Sequence, residues 1–383
     1  MGRACVIAVL CFFLLAAPAA AQVPAPLPLG HDTSRKLAAE AQELAETLRK
    51  KFGDGYVTRI DNQRHLVYVS ALDAKMLDHA VAMLAGLVDA HQRSLFPRAL
   101  AANVTVVLPT LSDYHALKPP EKMLGFYKPS TRTLVSISLS SVIFHELTHA
   151  LHHNDQVLRD QRHPIWISEG LATLFQSVRV SDGRLDPRLD GSLKLLQDAI
   201  REKAVGPLAT LCRMDRDAFM TDADRHYAQA RHVMFYLSTQ RKLRDFYDAY
   251  KAGYGDDPHG VAALEKVLGK PVDTVDAEWR AWVLARQLPW QPARAARAHL
   301  GVRMEKTEEG VWVTGFLRGS AAARAGLIKP GDVIISVAGR PTPDAAELKA
   351  AVQSCRPGET VEIELIREGK TLSVNHLLGA AGR

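Results

Sequence analysis

Apolar residues at Leu37, Leu44, Leu48 and Phe52 recur at helical spacing, which predicts an amphipathic helix opened by Thr33 or Ser34. Two short runs rich in β-branched residues, at 65–70 (HLVYVS) and 103–109 (NVTVVLP), read as strands and bracket a helical pattern over 75–95. Gly125-Phe126-Tyr127 and the run TLVSIS at 133–138 read as a further hairpin or an edge strand. From Ser140 to about Leu288 nearly every periodic segment is helical. The stretch LPWQPARAARAH at 288–299 carries two prolines and two arginines and reads as a linker, after which short strands with Gly turns take over. No long-period repeat is present. The fold class expected is α+β: a small α/β part with an edge strand, a mostly helical part, then a β-rich module.

The longest apolar run lies at the amino terminus. Arg3 precedes 14 apolar residues (4–17), followed by Pro18 and Ala19-Ala20-Ala21. This is the pattern of a secretory signal peptide, cleaved after Ala21, because a bilayer span needs roughly 20 apolar residues. Residues 22–33 then form a Pro-rich leader, and the mature chain is expected to be exported, periplasmic or extracellular, with no membrane span. Of 4 Cys, Cys212 and Cys355 remain. They lie in different expected domains, and whether they pair is not decided by spacing. With 383 residues, 47% of them hydrophobic, the chain is long enough for two or three domains and is neither disordered nor collagen-like. The charge of +6, from 48 basic and 42 acidic residues mixed along the chain, gives no reason to expect a nucleic-acid partner.

The chemical signal is His145-Glu146-Leu147-Thr148-His149. On a helix capped by Ser140 or Ser141, positions i and i+4 share a face, so both imidazoles can reach one metal ion, with Glu146 beside them to act on a metal-bound water. The helix is expected to run to His153 and stop at Asn154-Asp155. Twenty residues after His149, Glu169 sits in an otherwise apolar helical stretch opened by Pro164, where a carboxylate is costly unless it is paired or coordinating. His145, His149 and Glu169 thus make a three-ligand set with an open position, as one catalytic Zn2+ per chain requires.

At these residues the chain resembles the gluzincin metallopeptidases, specifically the peptidase MA-like group of secreted bacterial proteins. The resemblance rests on HELTH followed by W-x-S-E-G, on GFYKPSTRTLVSIS upstream, and on YAQARHVMFYL (227–237) and DAEWRAWV (276–283) downstream. It implies a zincin-like catalytic domain over 34–288 with Glu146 as general base. It also implies an edge strand beside the active-site helix, a place TLVSIS matches, to pair with substrate backbone. Tyr227 resembles the transition-state tyrosine of related enzymes, with His226 and then His232 behind it. Thr173 stands where some relatives place an acidic group that orients a ligating histidine, so that role is unassigned. His152 is a candidate for supporting a ligand, and His163 reads as a turn residue.

After a linker at 289–297, residues 298–378 resemble a PDZ domain of the bacterial-protease type. The matching residues are HLGVRM, GSAAARAGLIKPGDVIISVAGRPT and RPGETVEIELIREGK. The resemblance implies a peptide bound as an added strand, its terminal carboxylate on loop amides, with Leu300, Gly301 and Val302 supplying loop and strand and Leu348 and Val352 walling a side-chain pocket. The function expected is zinc-dependent hydrolysis of a peptide or protein substrate, with the PDZ domain binding peptide or regulating access. The alternatives are an inactive peptidase-like scaffold that works through its PDZ domain, and an aminopeptidase rather than an endopeptidase.

Overall fold

The computed structural model describes residues 27–117, 119, 123–137, 139, 141–288, 297–306, 310–317 and 320–381. The signal peptide with its cleavage site, residues 22–26 of the leader, Ser140 and nearly all of the linker lie outside these residues. The chain divides into two compact units, Met1–Leu288 and Pro289–Arg383. Among the described residues, no helix is long and apolar enough to cross a membrane.

The first unit opens with α1 (His31–Phe52), β1 (Val57–Asp61), β2 (Leu66–Ser70), α2 (Ala74–Ser94), β3 (Val104–Leu108) and α3 (Leu111–Ala116). Next come β4 (Gly125–Lys128) and β5 (Thr133–Ser136). The sheet order is β1-β2-β3-β5-β4, with β2, β3 and β5 parallel and both edge strands antiparallel to their neighbours. Alternation of side chains divides the sheet's two faces. Val67, Val69, Val107 and Val135 pack with Ala41, Ala45 and Leu48 of α1. Leu66, Tyr68, Val106 and Leu134 belong to the larger core on the other side, with Leu84, Leu87 and Val88 of α2. Strands buried on both faces need continuous apolar runs, which is why 66–69 and 104–108 contain so few polar residues.

That two-sided burial corrects one expectation. TLVSIS is not the edge: Leu134 and Val135 are buried on opposite faces, and β5 lies inside the sheet between β3 and β4. The edge is β4, whose Phe126 and Tyr127 are only half-buried and whose Lys128 is exposed. A second correction concerns the start of α1. It begins at His31, within the stretch read as leader, and its cap is Gly30 rather than Thr33 or Ser34.

The helical part continues with α4 (Ser141–Val157), α5 (Ile165–Gln176), a hairpin of β6 (Val178–Ser181) and β7 (Arg184–Pro187), and α6 (Ser192–Arg201). After these come α7 (Leu208–Arg213), α8 (Arg216–Met220), α9 (Ala223–Thr239), α10 (Leu243–Ala252), α11 (Val261–Leu268) and α12 (Val272–Ala285). Helix α4 does not stop at Asn154-Asp155, because both side chains are taken up by tertiary contacts. Asn154 accepts from the Ala101 amide and donates to the Ala99 carbonyl. Asp155 is buried, accepts from the Tyr247 hydroxyl at 2.8 Å and lies 3.3 Å from Lys251. A residue with such partners need not bond locally, so the helix runs on to Val157.

The second unit comprises β8 (Arg297–His299), β9 (Val302–Lys306), β10 (Val311–Phe316), α13 (Ala321–Ala325), β11 (Val333–Val337), β12 (Arg340–Pro341), α14 (Ala345–Gln353), β13 (Thr360–Arg367), β14 (Lys370–Leu377) and β15 (Gly379–Ala381). Its main sheet runs β14-β13-β11-β10-β9, with β12 on β11, and β8 pairs with β15. It has its own core, which includes Val313, Ile334, Leu348, Ile363 and Leu365. Buried Asp332 is held by Arg367 through two bonds of 2.7 Å and accepts the Lys329 amide, closing the turn before β11. Cys212 is buried in the first unit and Cys355 half-buried in the second, each as a free thiol.

Candidate active site

Helices α4 and α5 bring four predicted residues together. The Nε2 atoms of His145 and His149 are 3.0 Å apart. Glu169 Oε2 lies 3.5 Å from the first and 3.3 Å from the second. The i, i+4 spacing sets the histidines on one face of α4. Glu169 reaches them because α5 packs directly across α4 and is itself pressed against α9. At Gly170 an added Cβ would come within 3.0 Å of the Ala230 carbonyl oxygen and of Met234 Cγ, so the helix–helix approach beside Glu169 requires glycine. Trp166, fully buried, anchors the start of α5 by donating to the His259 carbonyl at 2.9 Å.

The three donor atoms suit a divalent cation. At separations of 3.0, 3.3 and 3.5 Å, the three atoms would all be able to hold one ion at the usual N and O bond lengths of roughly 2.0–2.2 Å. Glu169 Oε2 is also buried without a hydrogen-bond partner among the described residues, an arrangement that is costly unless positive charge compensates it. Burial alone would raise the Glu169 carboxyl, but the adjacent His149 and His145 hold it below the usual carboxylate range. Two imidazoles and one carboxylate accept several first-row divalent ions.

Glu146 lies on the same helix, 7% exposed. Burial raises its carboxyl above the usual range against the opposing pull of His145; Glu169 adds to the rise, and the backbone amide of Tyr127 on edge strand β4 works against it. Glu146 is thus tied to the sheet edge by one backbone bond.

Two partners of this site have no signature in the sequence. Gln176, at the end of α5, places Oε1 3.3 Å from His145 Nδ1. As acceptor it holds the proton on Nδ1 and leaves Nε2 as the lone-pair donor. Gln176 therefore supplies the orientation left unassigned at Thr173, whose hydroxyl is spent on the Glu169 carbonyl of its own helix. The other is Arg231, which shares an open cleft of about 350 Å³ with His145, Gln176 and Tyr227.

Of the three candidate donors, Tyr227 is the one at the cleft. It contacts Glu169 by a hydrogen bond, and burial with the nearby Glu169 carboxylate raises its phenol. His226 is engaged 2.7 Å from the Phe219 carbonyl, and His232 is fully buried against the Ala228 carbonyl. His152 does not support a ligand: it is buried with Nε2 2.7 Å from Nδ1 of His163. His163 is accordingly a buried partner rather than a plain turn residue.

In the second unit, Leu300, Val302, Leu348 and Val352 are all buried and share one core. Gly301 adopts φ +77, and a Cβ there would collide with the Ser320 side chain. The loop before β9 thus depends on glycine.

Comparison with known proteins places this unit. The family described as "PDZ domain" matches residues 298–378. Residues 298–378 form a PDZ domain. Among curated proteins, the periplasmic pH-dependent serine endoprotease DegQ of Escherichia coli (strain K12) is 40% identical over 67 residues. The periplasmic serine endoprotease DegP of Salmonella typhimurium is 41% identical over 68. Each alignment covers 18% of this chain and 14% of the relative, so the chain spans about one seventh of their length. A solved structure titled as the HtrA3 PDZ domain bound to a phage-derived ligand (FGRWV) is 25% identical, covering 22% of this chain and 88% of that one, at a TM-score of 0.20. Residues 139–255 match a family described as "Protein of unknown function (DUF1570)".

These findings correct the expectation of a zinc-dependent gluzincin. The protease relatives are serine endoproteases, whose chemistry needs no zinc, and the family covering α4, α5 and α9 is described as of unknown function, not as a metallopeptidase. Zinc as resident cofactor and the gluzincin assignment are withdrawn. The mixed α+β architecture with a carboxy-terminal PDZ domain stands.

Proposed function

We propose that this chain is an exported, periplasmic protease in which the PDZ domain captures polypeptide and the cleft beside α4, α5 and α9 hydrolyses it. The observation that carries this reading is the placement of Glu146, a buried carboxylate of raised proton affinity, next to three converging donors, of which His145 lines an open cleft. Its union in one chain with a PDZ domain related to those of periplasmic endoproteases supplies the substrate class.

In this reading His145, His149 and Glu169 hold a divalent cation, which when bound supplies positive charge beside the scissile carbonyl. Glu146 takes a proton from the attacking water and returns it to the leaving amine. Tyr227 donates its hydroxyl to the developing oxyanion. Gln176 keeps His145 in the tautomer the donor set needs. The exposed edge β4, which already donates the Tyr127 amide to Glu146, offers backbone for an extended substrate.

The deciding experiment compares the full-length protein with Glu146→Gln on casein and on quenched peptides, alongside a fluorophosphonate probe for reactive serines. The expected result is hydrolysis by the native chain, loss of at least about a hundredfold in the variant, and no labelling. Undiminished hydrolysis by the variant together with labelling would move the chemistry to a serine. No hydrolysis of any substrate by the native chain would leave a peptide-binding scaffold.

A further inference from the structure

Arg231 lies four residues beyond Tyr227 on α9, and with Asp224 and Ala228 these positions form the stripe of that helix that walls the cleft. Its side chain is only 1% exposed. Nη2 donates to the Arg188 carbonyl at 2.6 Å and lies 3.1 Å from Asp190 Oδ2. Nε and Nη1 are buried and find no acceptor among the described residues.

Asp190 is already committed. Its Oδ1 accepts the Ser192 amide and hydroxyl, and its Oδ2 accepts the Ser177 hydroxyl as well as facing Nη2. A buried guanidinium faced by one shared carboxylate, with the Nε–H and both Nη1–H donors unspent, favours an anionic oxygen acceptor. Burial pulls the Arg231 guanidinium down from its ordinary value while Asp190 opposes this, consistent with incomplete compensation. The other charge on the stripe, Asp224, is exposed and seven residues away, about 10 Å along the helix. The stripe thus carries a buried guanidinium paired with Asp190 at one end and the exposed carboxylate of Asp224 at the other.

We propose that Arg231 determines the specificity of this cleft by receiving a carboxylate of the bound peptide, either an acidic side chain or the chain-terminal carboxylate. The proposal rests on the reading of the cleft as a peptide site and deepens it. Carboxamide or hydroxyl oxygens also match the unspent donors, but a carboxylate accepts from them in charge-assisted bonds, so it is the stronger fit.

The test uses full-length Glu146→Gln, so that probes survive, and measures affinity for three hexapeptides of otherwise identical sequence. One carries an internal Glu and a terminal amide, one Gln in its place and the amide, and one Gln with a free carboxyl end. Each is measured again with Arg231→Met and Arg231→Lys added. One or both carboxylate peptides should bind about tenfold or more tightly than the neutral one, and Met should erase that margin while Lys keeps part of it. The arm that loses its margin identifies the source of the carboxylate. A free-end preference that persists in Arg231→Met belongs to the PDZ domain. Equal affinity of the Glu and Gln amides, together with a free-end preference indifferent to Arg231, would overturn the proposal. If Met prevents folding, the Lys variant and the unsubstituted comparison decide by the same criteria. Carboxylate selectivity without any hydrolysis by the native chain would remove the protease reading and leave the subsite standing; hydrolysis without that selectivity would do the reverse.

Discussion

At the scale of single residues, the candidate site divides into groups that chemistry marks in the sequence and groups that only tertiary structure reveals. His145, Glu146 and His149 were legible because two imidazoles four apart on a helix point the same way whatever the fold. Glu169 was legible because a carboxylate inside an apolar stretch demands a partner. Gln176 and Arg231 were not, since an amide at a helix end and an arginine within a helix are ordinary residues until α5 and α9 pack against the cleft. The structure gives Gln176 a measurable role. Gln176→Leu removes the acceptor on His145 Nδ1, and affinity for a divalent ion such as Co2+ should fall about 10–100-fold, read by direct titration of the metal-free protein. An unchanged affinity would show that the 3.3 Å contact does not orient the ring. Tyr227→Phe keeps the ring and its edge contact with Phe219 but loses the hydroxyl. It should lower kcat more than tenfold with KM nearly unchanged, the signature of a group that acts in the transition state.

At the scale of elements, apolar runs announced the strands but not their order. TLVSIS and Gly125-Phe126-Tyr127 are both short and partly apolar, and nothing local says which lies inside. The difference is that β5 presents Leu134 to one core and Val135 to the other, a fact about what packs on each face. The same limit applies to buried histidines. His91 on α2 is fully buried, stacked on Phe96 and edge-on to Phe175, with Nδ1 unpartnered among the described residues. Burial pushes it down to about 3. The unfolded chain, with an ordinary histidine near 6.5, then binds a proton that the folded chain refuses, so stability falls as pH drops below about 6.5 and keeps falling toward the folded value. By pH 5 this one residue costs about 2 kcal/mol relative to neutral pH. His91→Phe keeps a flat ring in that place, and Thr148 still donates to the Phe144 carbonyl. The variant should unfold at a less pH-dependent temperature between pH 7 and 5 than the parent does. Parallel melting curves for the two would show that His91 is not a source of acid sensitivity.

At the scale of the whole molecule, the two units have separate cores, so the proposed capture and cleavage should be open to change independently. The PDZ domain was readable across its length because its turns repeat demands on residue type, above all at Gly301, where φ +77 and the nearby Ser320 side chain admit no Cβ. Gly301→Val should therefore disturb the loop that leads into β9 without touching the core of the first unit. The expected outcome is at least a tenfold loss of affinity for a pentapeptide with a free carboxyl end, measured by fluorescence anisotropy on the full chain, because the loop amides that would hold the carboxylate are displaced. Hydrolysis of a short amidated peptide, which offers no terminal carboxylate, should keep its kcat/KM within about twofold. If that hydrolysis collapsed in step with binding, the two units would be acting as one site. If binding survived the substitution, the peptide would be held away from Leu300, Gly301 and Val302, and the pocket formed with Leu348 and Val352 would need another occupant.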